Sequence, residues 1–146
     1  MDKFEWKKEM VPWVCRFPWL WFCTLTLRPG LSEAQARWRL HRWLSNLREA
    51  LGTANFGYFA VREFGRTGND LHFHVLVMGL NDWGVEARLE WMGRWEKIGG
   101  DPRIDPFTPG PRGPEYTLKN VMPDDLNAID FDMSSETQMQ TSMDDK

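Results

Sequence analysis

The stretch that decides the fold is Leu71-His72-Phe73-His74-Val75-Leu76-Val77, whose β-branched and aromatic residues predict a β-strand. Side chains alternate between the two faces of a strand, so both histidines project from one face and the odd-numbered apolar residues from the other. Two imidazoles held side by side on a strand supply half of a metal site. The pattern equally suits two partly exposed polar residues, so its interpretation depends on the rest of the chain.

The segments around this strand predict an α+β domain. Hydrophobic periodicity and turn residues indicate strands over Trp21–Leu27, Tyr58–Phe64 and Arg103–Phe107, and helices over Ser32–Leu51 and Trp83–Ile98. The first helix opens with a capping box, and the second is expected to turn Val85, Leu89, Met92 and Trp95 inward. This β-α-β-β-α-β order predicts a ferredoxin-like antiparallel sheet with helices on one face and an active site on the other.

Composition divides the chain into three parts. Residues 1–20 are expected to form an N-terminal extension that packs on the domain, residues 21–121 the domain itself, and residues 122–146 an acidic, disordered tail. The formal charge is +3 over residues 1–121 and −6 over residues 122–146. A mildly basic domain is compatible with nucleic-acid binding but is also common among small enzymes.

The sequence predicts a cytoplasmic protein with no membrane partner. The longest apolar run, residues 17–27, is too short to span a bilayer and contains Pro18. The first residues lack the pattern of a signal peptide. Cys15 and Cys23 form no CxxC motif, and we expect both to remain reduced.

Glu63 is the candidate third ligand of the metal site. It lies near the end of the strand that precedes the histidines, and a short hairpin would bring its carboxylate beside His72 and His74. One oxygen and two nitrogen ligands suit Mg²⁺ or Mn²⁺ as a Lewis acid, and Zn²⁺ also fits the ligand types. The alternative is a surface carboxylate or an ion pair with Arg62 or Arg66.

A second candidate group follows the last predicted strand. Pro114 is expected to start a short helix on which Tyr116 and Lys119, three residues apart, share one face. A phenol is a poor nucleophile unless a metal-polarised phosphate, a base or a nearby cation assists it, and Lys119 supplies a cation. The alternative is a tyrosine that packs with its hydroxyl at the surface.

These motifs together resemble the HUH endonucleases, in particular the single-tyrosine replication initiators of rolling-circle plasmids, phages and small circular DNA viruses. The resemblance covers residues 21–121, in the family's order, and its elements are the strand Phe22-Cys23-Thr24-Leu25-Thr26-Leu27, the acidic Glu63, the pair His72-Phe73-His74 and the YxxK motif Tyr116-Thr117-Leu118-Lys119. The resemblance implies a site-specific endonuclease and strand transferase that acts on single-stranded DNA at a replication origin, where the DNA forms a hairpin. Tyr116 would form a 5′-phosphotyrosine link and leave a 3′-OH that primes synthesis.

The resemblance also implies partners and DNA contacts. The chain has no P-loop motif, so a host helicase and a host polymerase are expected to act with it. The candidate DNA-contacting residues are Thr24, Thr26, Arg66, Arg112 and Trp38, of which Trp38 lies off the apolar stripe of its helix and could stack on a base. The oligomeric state stays open.

Three alternatives remain at the level of sequence. Single-tyrosine HUH transposases share the fold and size but usually take a further metal ligand from the tyrosine helix, where Asn120 is an imperfect substitute. A ferredoxin-like nucleic-acid-binding protein without catalysis would use the histidines structurally or for stacking. Metal storage or sensing is poorly supported by two adjacent histidines without a cysteine ligand.

Overall fold

The structure is a computed structural model that describes residues 3–65 and 70–133. The elements follow the chain in the order α1 (Lys3–Cys15), β1 (Trp19–Leu27), α2 (Glu33–Leu51), β2 (Gly52–Phe64), β3 (Leu71–Leu80), α3 (Val85–Ile98), β4 (Gly100–Pro106), α4 (Arg112–Leu118), a 3₁₀ turn (Leu126–Ala128) and β5 (Ile129–Met133). Within the described ranges, none of the helices combines the length and the hydropathy that a membrane crossing requires.

The five strands form one sheet in the order β4-β1-β3-β2-β5, and every neighbouring pair is antiparallel. The first four strands have the ferredoxin-like order, and β5 extends the sheet at one edge. The predicted α+β class and sheet type are therefore confirmed.

One face of the sheet, the helix face, is covered by α2 and α3. Alternate residues of the central strands, including Cys23, Leu25, Phe73 and Val75, are buried against these helices. Trp43 of α2 lies at the centre, with the rings of Trp91 and Trp95 edge-on to it at centroid distances of 6.1 Å each. The indole N–H of Trp43 donates to the backbone oxygen of Trp91 at 3.0 Å, so this large side chain is buried with its polar atom satisfied.

Helix α2 begins as predicted. The Ser32 side chain accepts from the backbone N–H of Gln35, and the Gln35 side chain accepts from the backbone N–H of Ser32. At the other end, Gly52 is extended rather than left-handed, because β2 starts there without a separate turn. A Cβ at Gly52 would lie 2.5 Å from the carbonyl oxygen of Arg48, so the position requires glycine for space.

The predicted inward face of the second helix is wrong. Val85 and Leu89 are each 59% exposed, and the buried residues of α3 are Ala87, Trp91 and Trp95. The i, i+4 stripe through the two tryptophans buries more apolar surface than the stripe through the aliphatic residues, and it meets Trp43.

The assignment of residues 122–146 to a disordered tail is wrong for its first part. Residues 129–133 form β5, which pairs with β2 between Gly57 and Val61. Phe131 stacks on Phe59, while Asp130 on the other side of the strand forms an ion pair with His41 of α2. Residues 134–146 lie outside the described residues.

The second face of the sheet, the site face, carries Glu63, His72 and His74. Helices α1 and α4 cover part of it, where Val14 and Leu118 pack with Leu76 and other apolar residues of the strands. The two helices leave the ends of β2 and β3 beside the loop uncovered enough that Glu63 and His72 stay partly exposed. The site face is thus an apolar platform with a polar end.

Gly79 gives a test of the sheet geometry. Its φ is +74°, and a Cβ there would lie 2.3 Å from the backbone carbonyl of Asn55. We expect Gly79→Ala to lower the free energy of unfolding by about 2 kcal/mol or more in urea denaturation. Gly93→Ala is the matched control, because Gly93 lies in α3 with open space around it, and there the same change should stabilise by about 0.5–1 kcal/mol. Equal effects at both positions would contradict the described backbone.

Candidate functional site

The strand register places three potential metal ligands together. Glu63 of β2 is paired directly with His72 of β3, and His74 follows two residues later on the same face. The pairing depends only on the hairpin register, since β2 and β3 are adjacent and antiparallel. A shift of one residue would turn the carboxylate or the imidazoles into the core.

The three side chains converge on one point. Oε2 of Glu63 lies 2.9 Å from Nε2 of His74 and 3.6 Å from Nε2 of His72. The two imidazole rings are 4.9 Å apart and nearly perpendicular, with an interplanar angle of 82°. One ligand atom from each residue lies within 4.8 Å of the others, so the cluster could hold a single metal ion.

Two atoms of this cluster are buried without a hydrogen-bonding partner. Oε2 of Glu63 and Nε2 of His74 are close, but their angles do not suit a hydrogen bond, and neither atom has another partner among the described residues. An unsatisfied buried acceptor costs about 1–3 kcal/mol, so such a pair needs an explanation. A cation that both atoms coordinate would provide one, and the donor set of one carboxylate and two imidazoles fits a divalent metal ion.

The electrostatics keep His74 in the state that binds metal. Burial lowers the pKa of His74 to about 4, nearby His72 and Lys119 act in the same direction, and the carboxylate of Glu63 opposes them. With only 2% of its surface exposed, His74 is therefore neutral at pH 7. A neutral imidazole has a free lone pair for a metal ion.

Thr24 of β1 supports His74 from the other side of the ring. The two residues are paired in the β1–β3 register, and Oγ1 of Thr24 lies 3.4 Å from Nδ1 of His74. A proton on Nδ1 that is donated to the hydroxyl leaves the lone pair on Nε2, which is the nitrogen that faces Glu63. The sequence analysis considered Thr24 only as a DNA contact.

Helix α4 brings a tyrosine to the same place. The ring of Tyr116 lies 5.1 Å from the ring of His74 and 6.0 Å from the ring of Phe22 on β1. Buried Leu118 and Thr117 hold the helix on the site face, while Tyr116 is 48% exposed. Nζ of Lys119 lies 3.8 Å from the centroid of the Tyr116 ring. A phenol, an ammonium group and a candidate metal site therefore adjoin one another, a set of groups suited to attack on a phosphodiester.

A cleft of about 400 Å³ opens beside Tyr116, between α4 and strands β1 and β4. Its walls include two aromatic rings and two cations, from Phe22, Phe107, Arg103 and Arg112. Arg103 is 75% exposed in its side chain and pairs with Asp105 at 2.9 Å. The volume falls within the range of small-ligand pockets, and the lining combines apolar surface with positive charge.

The other predicted DNA-contacting residues are placed differently from one another. Thr26 faces the site beside His72, with which it is paired in the sheet, and Arg112 lines the cleft. Trp38 is 65% exposed on α2, which covers the helix face, and so lies across the sheet from Glu63. Arg66 lies outside the described residues.

Two contacts at the site were not found from the sequence. Phe22 touches both Tyr116 and His74, and its position two residues before Thr24 on one strand face was the available signal. The side-chain amide of Asn120 donates to Oε1 of Glu63. No local pattern predicts this second contact, because the two residues are far apart in sequence.

The sequence model of a known family, described as replication-associated protein ORF2, matches residues 20–121. The match covers most of the chain, from β1 to the residue after Asn120. The chain belongs to this family. Glu63, His72, His74, Tyr116 and Lys119 all lie within the matched residues, while α1 and β5 lie outside them. No match to the chain is found among curated proteins or among solved structures. Membership in a replication-associated family indicates a role in the initiation of DNA replication.

Proposed function

We propose that this protein is a metal-dependent endonuclease of the HUH superfamily that nicks and rejoins single-stranded DNA to initiate rolling-circle replication. The observation that carries the proposal is the approach of Tyr116 to His74 within the Glu63, His72 and His74 cluster. A tyrosine beside a potential metal site needs a function that uses both, and phosphodiester transfer to a phenol is such a function. Membership in a replication-associated family supports DNA as the substrate.

In the proposed mechanism Glu63, His72 and His74 hold the metal ion, which we expect to be Mg²⁺ or Mn²⁺. The bound ion would supply Lewis-acid polarisation of the scissile phosphate. Thr24 keeps the lone pair of His74 on Nε2, and the cleft beside Tyr116 holds the DNA, with Phe22 and Phe107 available to bases and Arg112 to phosphates.

Tyr116 then attacks the phosphorus atom through its phenolic oxygen. The new bond is O–P, the bond that breaks joins phosphorus to the 3′ oxygen, the phenol loses its proton and the 3′ oxygen gains one. Lys119, whose ammonium group lies over the ring, stabilises negative charge on the phenolic oxygen during the attack. The products are a 5′-phosphotyrosine link and a free 3′-OH, and attack by a 3′-OH on the link rejoins the strand.

The role proposed for the whole protein is at a replication origin. A cleft that is open on one side and lined by aromatic and basic side chains suits single-stranded rather than duplex DNA. Strand separation and synthesis would then depend on a helicase and a polymerase of the host, in a cytoplasmic setting.

Removal of the metal ion tests the proposal. We would mix the protein with an end-labelled pool of random-centre single-stranded oligonucleotides and an equimolar amount of Mn²⁺, which limits occupancy of adventitious sites, and then denature it in SDS. A labelled covalent protein–DNA band is expected, it should disappear with EDTA, and excess Mn²⁺ should restore it. A band that persists in EDTA would contradict the metal requirement, and binding of the pool without any band in Mn²⁺ would favour a binding protein that does not cut DNA.

A further inference from the structure

Asn120 connects the segment of the tyrosine helix to the candidate metal site. It directly follows Lys119, and its side-chain amide donates a hydrogen bond to Oε1 of Glu63 across the gap between α4 and the end of β2. The two residues are 57 positions apart in sequence, so this contact exists only because α4 folds onto the site face.

The contact separates the roles of the two carboxylate oxygens of Glu63. Oε1 accepts from Asn120, whereas Oε2 faces His74 and His72 and has no hydrogen-bonding partner among the described residues. A carboxylate held by one oxygen cannot rotate freely, so the other oxygen stays directed at the point where the imidazole nitrogens meet. An amide donor also carries no charge, and the full negative charge of Glu63 remains available to a cation.

The backbone on both sides of Asn120 is held in place. Leu118 and Val121 are 0% and 3% exposed and belong to the same apolar cluster on the site face. The backbone N–H of Val121 donates to the carbonyl of Leu118 at 3.1 Å, and Nζ of Lys7 in α1 donates to the carbonyl of Lys119. The amide of Asn120 is therefore presented to Glu63 by a segment that is packed rather than free.

We propose that Asn120 is a positioning residue for the metal site: its amide fixes the orientation of the Glu63 carboxylate so that Oε2 coordinates the metal ion together with His72 and His74. The proposal rests on the metal site of the proposed function. It adds that the ligand geometry depends on the segment that carries Tyr116 and Lys119, so that the tyrosine and the metal ion are held in a fixed relation. Outer-shell hydrogen bonds of this kind typically contribute about 10–100-fold to metal affinity.

The test is Mn²⁺ titration of the full chain by calorimetry without DNA, so that the readout is affinity rather than catalysis. Asn120→Ala is expected to weaken Mn²⁺ binding by about 10–100-fold. Its melting temperature in EDTA should equal that of the unchanged protein, because the side chain is exposed. Asn46→Ala is the matched control, since Asn46 is also exposed but lies on α2 across the sheet, and its Mn²⁺ affinity should be unchanged.

The outcomes separate this inference from the proposed function. Equal Mn²⁺ affinity in the unchanged protein and in Asn120→Ala would overturn the positioning role and leave the metal site intact. A lowered melting temperature of Asn120→Ala in EDTA would overturn it too, because the residue would then act on folding. Absence of Mn²⁺ binding by the unchanged protein would overturn both the metal site and the role of Asn120.

Discussion

Tyr116→Phe is expected to abolish the covalent protein–DNA adduct while leaving Mn²⁺ affinity unchanged. The substitution removes only the hydroxyl, so the ring keeps its contacts with His74 and Phe22 and the metal ligands are untouched. Without the phenolic oxygen there is no atom to bond to phosphorus, so the adduct should fall below detection rather than decrease in proportion. The measurement is the labelled SDS gel, accompanied by calorimetry with Mn²⁺.

Tyr58→Phe is the matched control, because Tyr58 is the only other tyrosine of the chain. It lies on the helix face, across the sheet from Glu63, and its hydroxyl donates to Asp130 at 3.4 Å. This variant should form the adduct at the normal rate. Adduct formation by Tyr116→Phe, or its loss in Tyr58→Phe with the fold intact, would contradict the role assigned to Tyr116.

Glu63→Ala is expected to weaken Mn²⁺ binding by about 100-fold or more, beyond the usual effect of an outer-shell contact, and to abolish the adduct at Mn²⁺ concentrations that saturate the unchanged protein. The reason is that Glu63 supplies the only carboxylate of the cluster described by the structure. Its removal also takes away a buried oxygen that lacks a partner, so the metal-free variant should be at least as thermally stable as the unchanged protein. Calorimetry and melting in EDTA measure the two effects separately.

Glu90→Ala provides the comparison for this change. Glu90 lies on α3 and forms an exposed i, i+4 ion pair with Arg94, which contributes little to stability. Its Mn²⁺ affinity and its adduct yield should match those of the unchanged protein. Retention of tight Mn²⁺ binding by Glu63→Ala would mean that the metal ion binds elsewhere, and the account of the site would be wrong.

The sequence was sufficient for the central part of the fold because the strand signals there are strong. The alternation around His72 and His74 places the imidazoles on one face and Phe73 and Val75 in the core, as the structure confirms. The capping box at Ser32 likewise depends on local hydrogen bonds, and local interactions can be read from adjacent residues.

The remaining elements depended on long-range packing. The inward face of α3 was predicted wrongly because Trp91 and Trp95 meet Trp43, which lies 48 residues before Trp91 in sequence. Strand β5 was missed because two aspartates suggested a solvated tail. Its alternation of Ile129, Phe131 and Met133 with those aspartates is the period-2 signal of an edge strand that was available in the sequence.

The candidate site divides in the same way. The spacing of Glu63 before the histidines predicted a ligand set, which the hairpin register brings together. The contacts of Thr24 with His74 and of Asn120 with Glu63 depend on β1 being the neighbour of β3 and on the position of α4, and neither follows from local sequence. Such supporting contacts become visible only once the sheet order is known.

The measurement that tests the central claim most directly is peptide mapping of the covalent adduct by mass spectrometry. The adduct formed with Mn²⁺ would be digested with protease and nuclease, and the modified peptide sequenced. The account predicts a 5′-phosphonucleotide on the peptide that contains Tyr116, present with Mn²⁺ and absent with EDTA. Attachment at Tyr58 or at any other residue, or a protein that binds Mn²⁺ and single-stranded DNA yet carries no nucleotide, would contradict it.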